Sequence, residues 1–199
     1  MPTPCVLLVT LVIAIAGCVP VRFTYYEPAA LEGKVTRSMC RGQYGSRNHI
    51  NFAYQGVKVE YRGDATAPAE HPSLELSLHV PSNITVQIHP YKYKVVSEGN
   101  ETVLAPIHLF RYRAPSGTPT TIDVIEKSEI GLDETVTLQG DTSGRYIPDQ
   151  YVLLFTVPIS SPNPYKLIPP PLTVNGAIWK FSTIDWHLSH DWQSLAINC

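Results

Sequence analysis

The feature that most constrains the fold is an alternation of apolar and polar residues on both sides of a short turn. Between positions 73 and 89 every second residue is apolar, with an interruption at Pro81-Ser82-Asn83: Leu74, Leu76, Leu78, Val80, Ile84, Val86 and Ile88. A period of two places alternate side chains on opposite faces of a β-strand. The pattern therefore predicts two half-buried strands joined by a turn, with His79 and His89 on the polar faces of neighbouring strands.

The same period recurs along the chain. Phe52 and Tyr54 lead to Gln55-Gly56, and alternating apolar residues lead away from it at 57–61, which predicts a hairpin. Asn175-Gly176 predicts a second hairpin between residues 172–174 and 177–181. Further strands are expected at 91–96, 103–112, 121–126, 134–138 and 151–157, with a turn at 98–101.

Helical periodicity is weak after residue 18. No window of eleven or more residues has a convincing 3.6-residue period, and 188–197 could hold one or two helical turns at most. Roughly eight to ten short strands with closely spaced turns are typical of a sandwich or a barrel. We expect an all-β fold, an antiparallel β-sandwich that is Ig-like in a loose sense.

The first residues form an apolar run. It extends from Val6 to Gly17 without a charged residue, which is too short for a permanent transmembrane helix and matches the hydrophobic region of a secretory signal. The run ends in Ile15-Ala16-Gly17-Cys18, which resembles the lipobox of bacterial prolipoproteins. The resemblance implies that residues 1–17 are a signal peptide, that Cys18 takes a diacylglycerol, and that the new amino terminus is acylated.

Two alternatives remain for this run. Ala14-Ile15-Ala16 is also a site for signal peptidase I, which would release a free secreted protein. In a eukaryotic source, Asn83 and Asn100 would then be glycosylation acceptors, since each opens an N-x-T triplet. The other alternative is a buried apolar strand.

The cysteine count favours lipidation. Cys5 leaves with the signal peptide, so Cys18, Cys40 and Cys199 remain. If lipidation uses Cys18, the other two are free to form a disulfide, which an exported compartment permits. A loop of that length contributes roughly 4–5 kcal/mol in the chain-entropy model. Two unpaired thiols are the alternative.

Domain organisation follows from length and composition. Removal of residues 1–17 from the 199-residue chain leaves 182 residues, enough for one domain with a substantial core. Residues 18–39 contain Pro20, Pro28 and Gly33 and show little periodicity, so we expect a lipidated N-terminus and tether, with room for a strand at 21–26. Residues 40–199 are expected to form a single sandwich domain.

The net charge of the chain limits the kinds of partner that it can bind. A net charge of −2 and a charged fraction of 16% provide no basic surface for nucleic acid and no polybasic stretch for anionic lipid. The acyl chains on Cys18 would therefore make the membrane contact. Val19 follows Cys18, where an Asp would resemble a signal for inner-membrane retention. We expect an outer-membrane location facing the periplasm.

The sequence contains no common catalytic motif, such as G-x-S-x-G, H-E-x-x-H, a phosphate-binding loop or C-x-x-C. The one cluster with ligand chemistry is His187, His190 and Asp191, since imidazole and carboxylate groups bind Zn or Cu. A helix would bring the two histidines together at i, i+3, whereas a strand would direct them to opposite faces. The alternative is an aromatic segment whose Trp186 and Trp192 pack on the sandwich.

Together these observations favour a lipid-anchored, non-catalytic binding or structural module of the bacterial envelope. We expect no cofactor, no stoichiometric metal and an envelope partner of unspecified type. The alternative is an anchored metal-binding protein or hydrolase that uses His187, His190 and Asp191.

Overall fold

The structure, a computed structural model, describes residues 20–37, 39–40, 43–64, 72–104, 106–112, 135–140, 149–159 and 163–194. Within these residues the chain forms seventeen strands and one 3-10 turn, Pro90–Lys92. The strands before this turn are β1 (Pro20–Ala29), β2 (Lys34–Thr36), β3 (Met39–Cys40), β4 (Gln43–Tyr44), β5 (His49–Tyr54), β6 (Val57–Gly63), β7 (Ser73–Val80) and β8 (Thr85–Ile88). The strands after it are β9 (Lys94–Ser97), β10 (Asn100–Val103), β11 (Pro106–Tyr112), β12 (Val136–Gln139), β13 (Asp149–Thr156), β14 (Tyr165–Ile168), β15 (Leu172–Val174), β16 (Ala177–Trp179) and β17 (Ile184–Ser194).

The strands pair in four antiparallel sheets. The largest has six strands in the order β11-β13-β7-β6-β5-β2, and a second has five in the order β1-β17-β14-β9-β10. A third sheet has the order β12-β8-β15-β16, and β3 pairs with β4 alone. Every pairing between neighbouring strands is antiparallel.

One hydrophobic core joins three of these sheets. Leu76 of the six-stranded sheet, Leu167 of the five-stranded sheet and Val86 of the four-stranded sheet are all fully buried in the same cluster. Gly63 of β6 lies against Trp186 of β17, and Tyr54 of β5 stacks on Trp179 of β16. The six-stranded sheet is therefore one layer of a sandwich, and the five- and four-stranded sheets cover it as the other. This arrangement confirms the predicted all-β, antiparallel sandwich.

The predicted hairpins form where the turn residues allow positive φ. Gln55 and Gly56 have φ of 49° and 83°, and Asn175 and Gly176 have φ of 47° and 84°. Two consecutive positive φ angles are typical of the type I′ turn, whose twist matches that of the flanking strands. The β5–β6 and β15–β16 hairpins are thus confirmed, and the turn expected at 98–101 joins β9 to β10.

The strands before and after Pro81 do not pair with each other, contrary to the expected neighbouring strands. β7 lies between β6 and β13, whereas β8 lies between β12 and β15 in the opposite layer. The chain passes from the six-stranded to the four-stranded sheet at this turn, where Asn83 has a φ of 63°. A period of two in the sequence indicates which face of a strand is buried. The same period occurs whether two successive strands pair within one sheet or belong to different sheets.

The segment expected to be a tether forms two strands. Residues 20–29 are β1, which pairs along its whole length with β17, and β2 lies at an edge of the six-stranded sheet. The periodicity is weak because adjacent residues of β1, Tyr25 and Tyr26, are both buried. Pro20 and Pro28 are tolerated since β1 is an edge strand, where a missing N–H costs no ladder bond. The sandwich thus begins well before residue 40.

Two strands near the C-terminus differ from the prediction. β14 was not expected, and residues 188–194, which by sequence could have held one or two helical turns at most, belong to β17. The predicted strand at 121–126 lies outside the described residues, as do Cys18 and Cys199. Cys40 lies in β3. Because Cys199 lies outside the described residues, the Cys40–Cys199 disulfide stays a prediction.

Candidate functional site

The predicted metal cluster lies on β17, and strand geometry separates its two histidines. His187 is opposite Glu27 and His190 is opposite Thr24 in the antiparallel register with β1. Residues three apart on a strand face opposite sides of the sheet, so the i, i+3 arrangement that required a helix does not form. Across the described parts of the chain, no group of three or more His, Cys, Asp or Glu residues is placed to hold a metal ion.

Each member of this cluster has its own neighbours. His190 Nδ1 lies 2.9 Å from Thr24 Oγ1, in a hydrogen bond between the two strands. Asp191 Oδ2 accepts a hydrogen bond from Arg37 Nη1 at 3.0 Å. These contacts hold β17 against β1 and the loop before β3, and they are structural in kind. His187 faces an open depression.

The two tryptophans of the segment have different environments. Trp186 is 1% exposed and stacks on Tyr165 with ring centroids 5.8 Å apart. Gly63 makes room for the indole, since a Cβ at that glycine would lie 2.6 Å from Trp186 Cζ3. Trp192 is 66% exposed. The prediction that both indoles pack on the sandwich is right for Trp186 and wrong for Trp192.

His79 and His89 are not neighbours, since β7 and β8 lie in different sheets. His89 Nδ1 lies 3.1 Å from Thr135 Oγ1. On the six-stranded sheet, His49 Nδ1 instead pairs with Glu60 Oε1 at 3.0 Å, and this hydrogen bond lowers the pKa of Glu60. Burial lowers the pKa of His79, and the nearby Glu60 carboxylate opposes that shift.

The depression beside His187 is a shallow groove on the outer face of the five-stranded sheet. Its volume is about 310 Å³, and it follows β9, β14 and β17. The register places Val96, Lys166 and Asp185 in one row across these strands. Directly opposed residues of an antiparallel pair share a face. The groove is therefore apolar at Val96, which forms its floor, and charged at the other two positions, which form its rim.

A fixed turn forms one wall of the groove. Glu98 and Gly99 have φ of 51° and 79° and reverse the chain between β9 and β10. Asn163 Nδ2 donates to Glu98 Oε1 at 2.7 Å, and Ser97 Oγ donates to the Pro164 carbonyl oxygen at 3.4 Å. On the other side of this turn lies a second depression, of about 150 Å³, lined by Asn100, Thr102 and Pro158 among others.

The charged side chains on this face form ion pairs and are exposed to solvent. Lys166 Nζ lies 3.3 Å from Asp185 Oδ1, with side chains 62% and 54% exposed. Lys94 Nζ lies 2.6 Å from Glu101 Oε1, also on the surface. Exposed pairs contribute between about 0 and 1 kcal/mol, since water already solvates both charges. A charged partner could therefore replace either pairing at low cost.

Sequence reasoning identified His187 but missed Lys166 and Glu98, which line the same groove. Lys166 lies on β14, a strand of four residues between Pro164 and Pro169, so its pattern is too short to read. Glu98 was assigned only to a turn. The predicted β9–β10 turn is the sequence feature that could have indicated the groove, because a tight turn at the end of two strands can form a wall beside the sheet.

Comparison with known proteins finds no match for this chain among protein-family models, curated proteins or solved structures. The part of the chain that the structure describes includes no helix long and apolar enough to cross a membrane.

Proposed function

We propose that this protein is a lipid-anchored component of the bacterial envelope whose sandwich is a non-catalytic binding module. The observation that carries the proposal is the apolar run that ends in Ile15-Ala16-Gly17-Cys18. In such a protein, acyl chains on Cys18 attach the sandwich to the outer membrane, and the domain faces the periplasm. An oxidising periplasm would also allow Cys40 and Cys199 to pair.

The groove on the five-stranded sheet supports the binding role. Its volume is at the lower end of the range for small-molecule pockets, and it is open along the strands. Its rim is composed of exchangeable charges, Lys166, Asp185 and Glu98, around a short apolar floor. An open, polar-rimmed sheet surface fits a protein or polymer segment that lies along the strands better than it fits an enclosed substrate.

The anchor is tested by the variant Cys18→Ser. Metabolic labelling with a radioactive fatty acid should label the parent protein and leave the variant unlabelled, since the acylated thiol is gone. Cys5→Ser is the matched control and should keep the label, because residue 5 leaves with the signal peptide. Label retained in the Cys18→Ser protein would overturn the assignment.

The binding surface is tested by site-specific photocrosslinking in the envelope. A benzoylphenylalanine at position 187 should give a discrete crosslinked product, since His187 is exposed beside the groove. The same probe at exposed Lys58, on the opposite layer, is the control and should give none. Lys166→Glu should weaken the product at position 187, because it reverses a rim charge. Equal products at positions 187 and 58, or none at either, would contradict a binding role for this face.

A further inference from the structure

Strand β17 extends far beyond its neighbour β14. Their pairing covers only Ile184, Asp185 and Trp186, whereas the pairing with β1 continues to Pro20 opposite Ser194. At about 3.4 Å per residue, β17 continues roughly 27 Å past Trp186. In the described part of the chain this extension is a two-stranded ribbon. We use ribbon tip for its last part, residues 20–24 paired with 190–194.

The ribbon tip exposes a large aromatic side chain beside a cation. Trp192 is 66% exposed, and its register partner is Arg22, which is also exposed. Opposed residues of an antiparallel pair share a face, so indole and guanidinium lie on the same side of the ribbon. Tryptophan is enriched at membrane interfaces, where its ring meets acyl chains and its N–H meets the headgroups. Arginine at the same depth can bind lipid phosphate.

The distance to the lipid is short. Only Val19 separates Cys18 from Pro20, the first residue of β1, so the Cα atoms of Cys18 and Pro20 are at most about 7 Å apart. Diacylglycerol on Cys18 would have its glycerol in the headgroup layer. The sandwich then has no tether, and the ribbon tip lies at the membrane surface.

We propose that the ribbon tip is a membrane-contact surface, in which Trp192 inserts its indole among the headgroups and Arg22 lies beside phosphate. This inference rests on the acylation of Cys18 proposed above. The acyl chains supply the attachment, and the tip sets the orientation of the sandwich relative to the bilayer.

The test uses the full chain, expressed in a bacterial host and reconstituted in vesicles of phosphatidylethanolamine and phosphatidylglycerol. One set of vesicles carries bromine near the headgroup end of the acyl chains, a second near the chain terminus, and a third none. Bromine quenches tryptophan only at close range. We expect quenching of the parent protein, stronger with bromine near the headgroups, and its loss in Trp192→Phe.

Trp179→Phe is the matched control. Trp179 lies on β16 in the four-stranded sheet and stacks on Tyr54 of β5, with ring centroids 5.4 Å apart; the control should keep the quenching. Intact mass of the same sample separates the two proposals. Acylated protein without quenching, or with quenching that Trp192→Phe retains, overturns the membrane contact alone. Protein without acyl groups overturns the anchor, and the membrane contact with it.

Discussion

The two halves of β17 have contrasting surroundings. At Trp186 the strand is the central part of a layer, with β1 on one side and β14 on the other. At Trp192, six residues later, it pairs with β1 alone. The same residue type is 1% exposed at the first position and 66% exposed at the second. The burial of a tryptophan on β17 therefore depends on the strands and side chains around it and not on its residue type.

This contrast separates two sources of strand stability. In the core half, side chains pack against the opposite layer, and removal of apolar area is the main stabilising term. At the ribbon tip, the strand depends on backbone pairing and on a few polar contacts, such as His190 with Thr24. Two-stranded ribbons are marginally stable in water by themselves. Substitutions in the core half should therefore cost far more stability than substitutions at the tip.

The largest effect is expected for Trp186→Ala. Loss of the buried indole should lower the free energy of unfolding by about 3–5 kcal/mol, since it removes packing area and leaves a cavity. Trp192→Ala is the control on the same strand and should change it by less than about 0.5 kcal/mol. Urea unfolding measures both values. Similar losses for the two variants would contradict the division of β17 into halves.

Alkaline pH should destabilise the core nearly as strongly. Burial raises the pKa of Tyr61, Tyr93 and Tyr165 well above the ordinary value of a phenol. The unfolded chain loses these protons near pH 10, while the folded protein keeps them, so the free energy of unfolding falls as pH rises past about 10.

Above about pH 11, where the unfolded phenols are almost fully ionised, each contributes a slope that approaches about 1.4 kcal/mol per pH unit, and the three together approach about 4 kcal/mol per unit. Urea unfolding at several pH values between about 9 and 12 measures how the slope develops. Tyr61→Phe should reduce it by about a third, because one titrating group is removed. An unchanged slope in that variant would show that Tyr61 ionises freely in the folded protein.

Gly63→Ala tests the close approach on which Trp186 depends. The added methyl group would lie 2.6 Å from Trp186 Cζ3, and overpacking of this kind costs about 1–3 kcal/mol. A double-mutant cycle with Trp186→Phe isolates the contact, since phenylalanine lacks the outer ring atoms. We expect the cost of Gly63→Ala to shrink in the Trp186→Phe background. Full additivity would mean that the strain arises elsewhere.

The smallest effect is expected at the ribbon. Arg37 and Asp191 form an ion pair at 3.0 Å with side chains 42% and 30% exposed. Asp191→Asn should lower the free energy of unfolding by less than about 1 kcal/mol, and by less again in high salt, which screens the pair. Thermal unfolding at low and high salt measures it. A loss as large as that of Trp186→Ala would show that the ribbon is part of the core.

Much of the fold was predictable from local pattern. The β5–β6 and β15–β16 hairpins follow from Gln55-Gly56 and Asn175-Gly176, because these residues tolerate the positive φ that the turns need. The buried face of β7 follows from its alternation, and β13 from its apolar run. Local chemistry acts over a few residues, and these features need no more than that.

The candidate site was harder to predict from the sequence. His187 was identified by residue type, but a helical arrangement with His190 was the basis for its metal role. The groove arises from β9, β14 and β17, which come together from three separate parts of the chain. No local pattern contains that information, since loop closure between distant strands depends on what else packs around them.

The sequence by itself determined the strand period, the turns and the apolar run that ends at Cys18, because each depends on a few adjacent residues. Only the tertiary structure decided that β1 and β17 pair across most of the chain, that β7 and β8 belong to different sheets, and that Trp186 is buried while Trp192 is exposed. An alternating strand specifies which face avoids water, but it does not specify its partner. The packing of the whole sandwich selects the partner of each strand. A given pairing is stabilised only when the layers on both sides of the core are formed together.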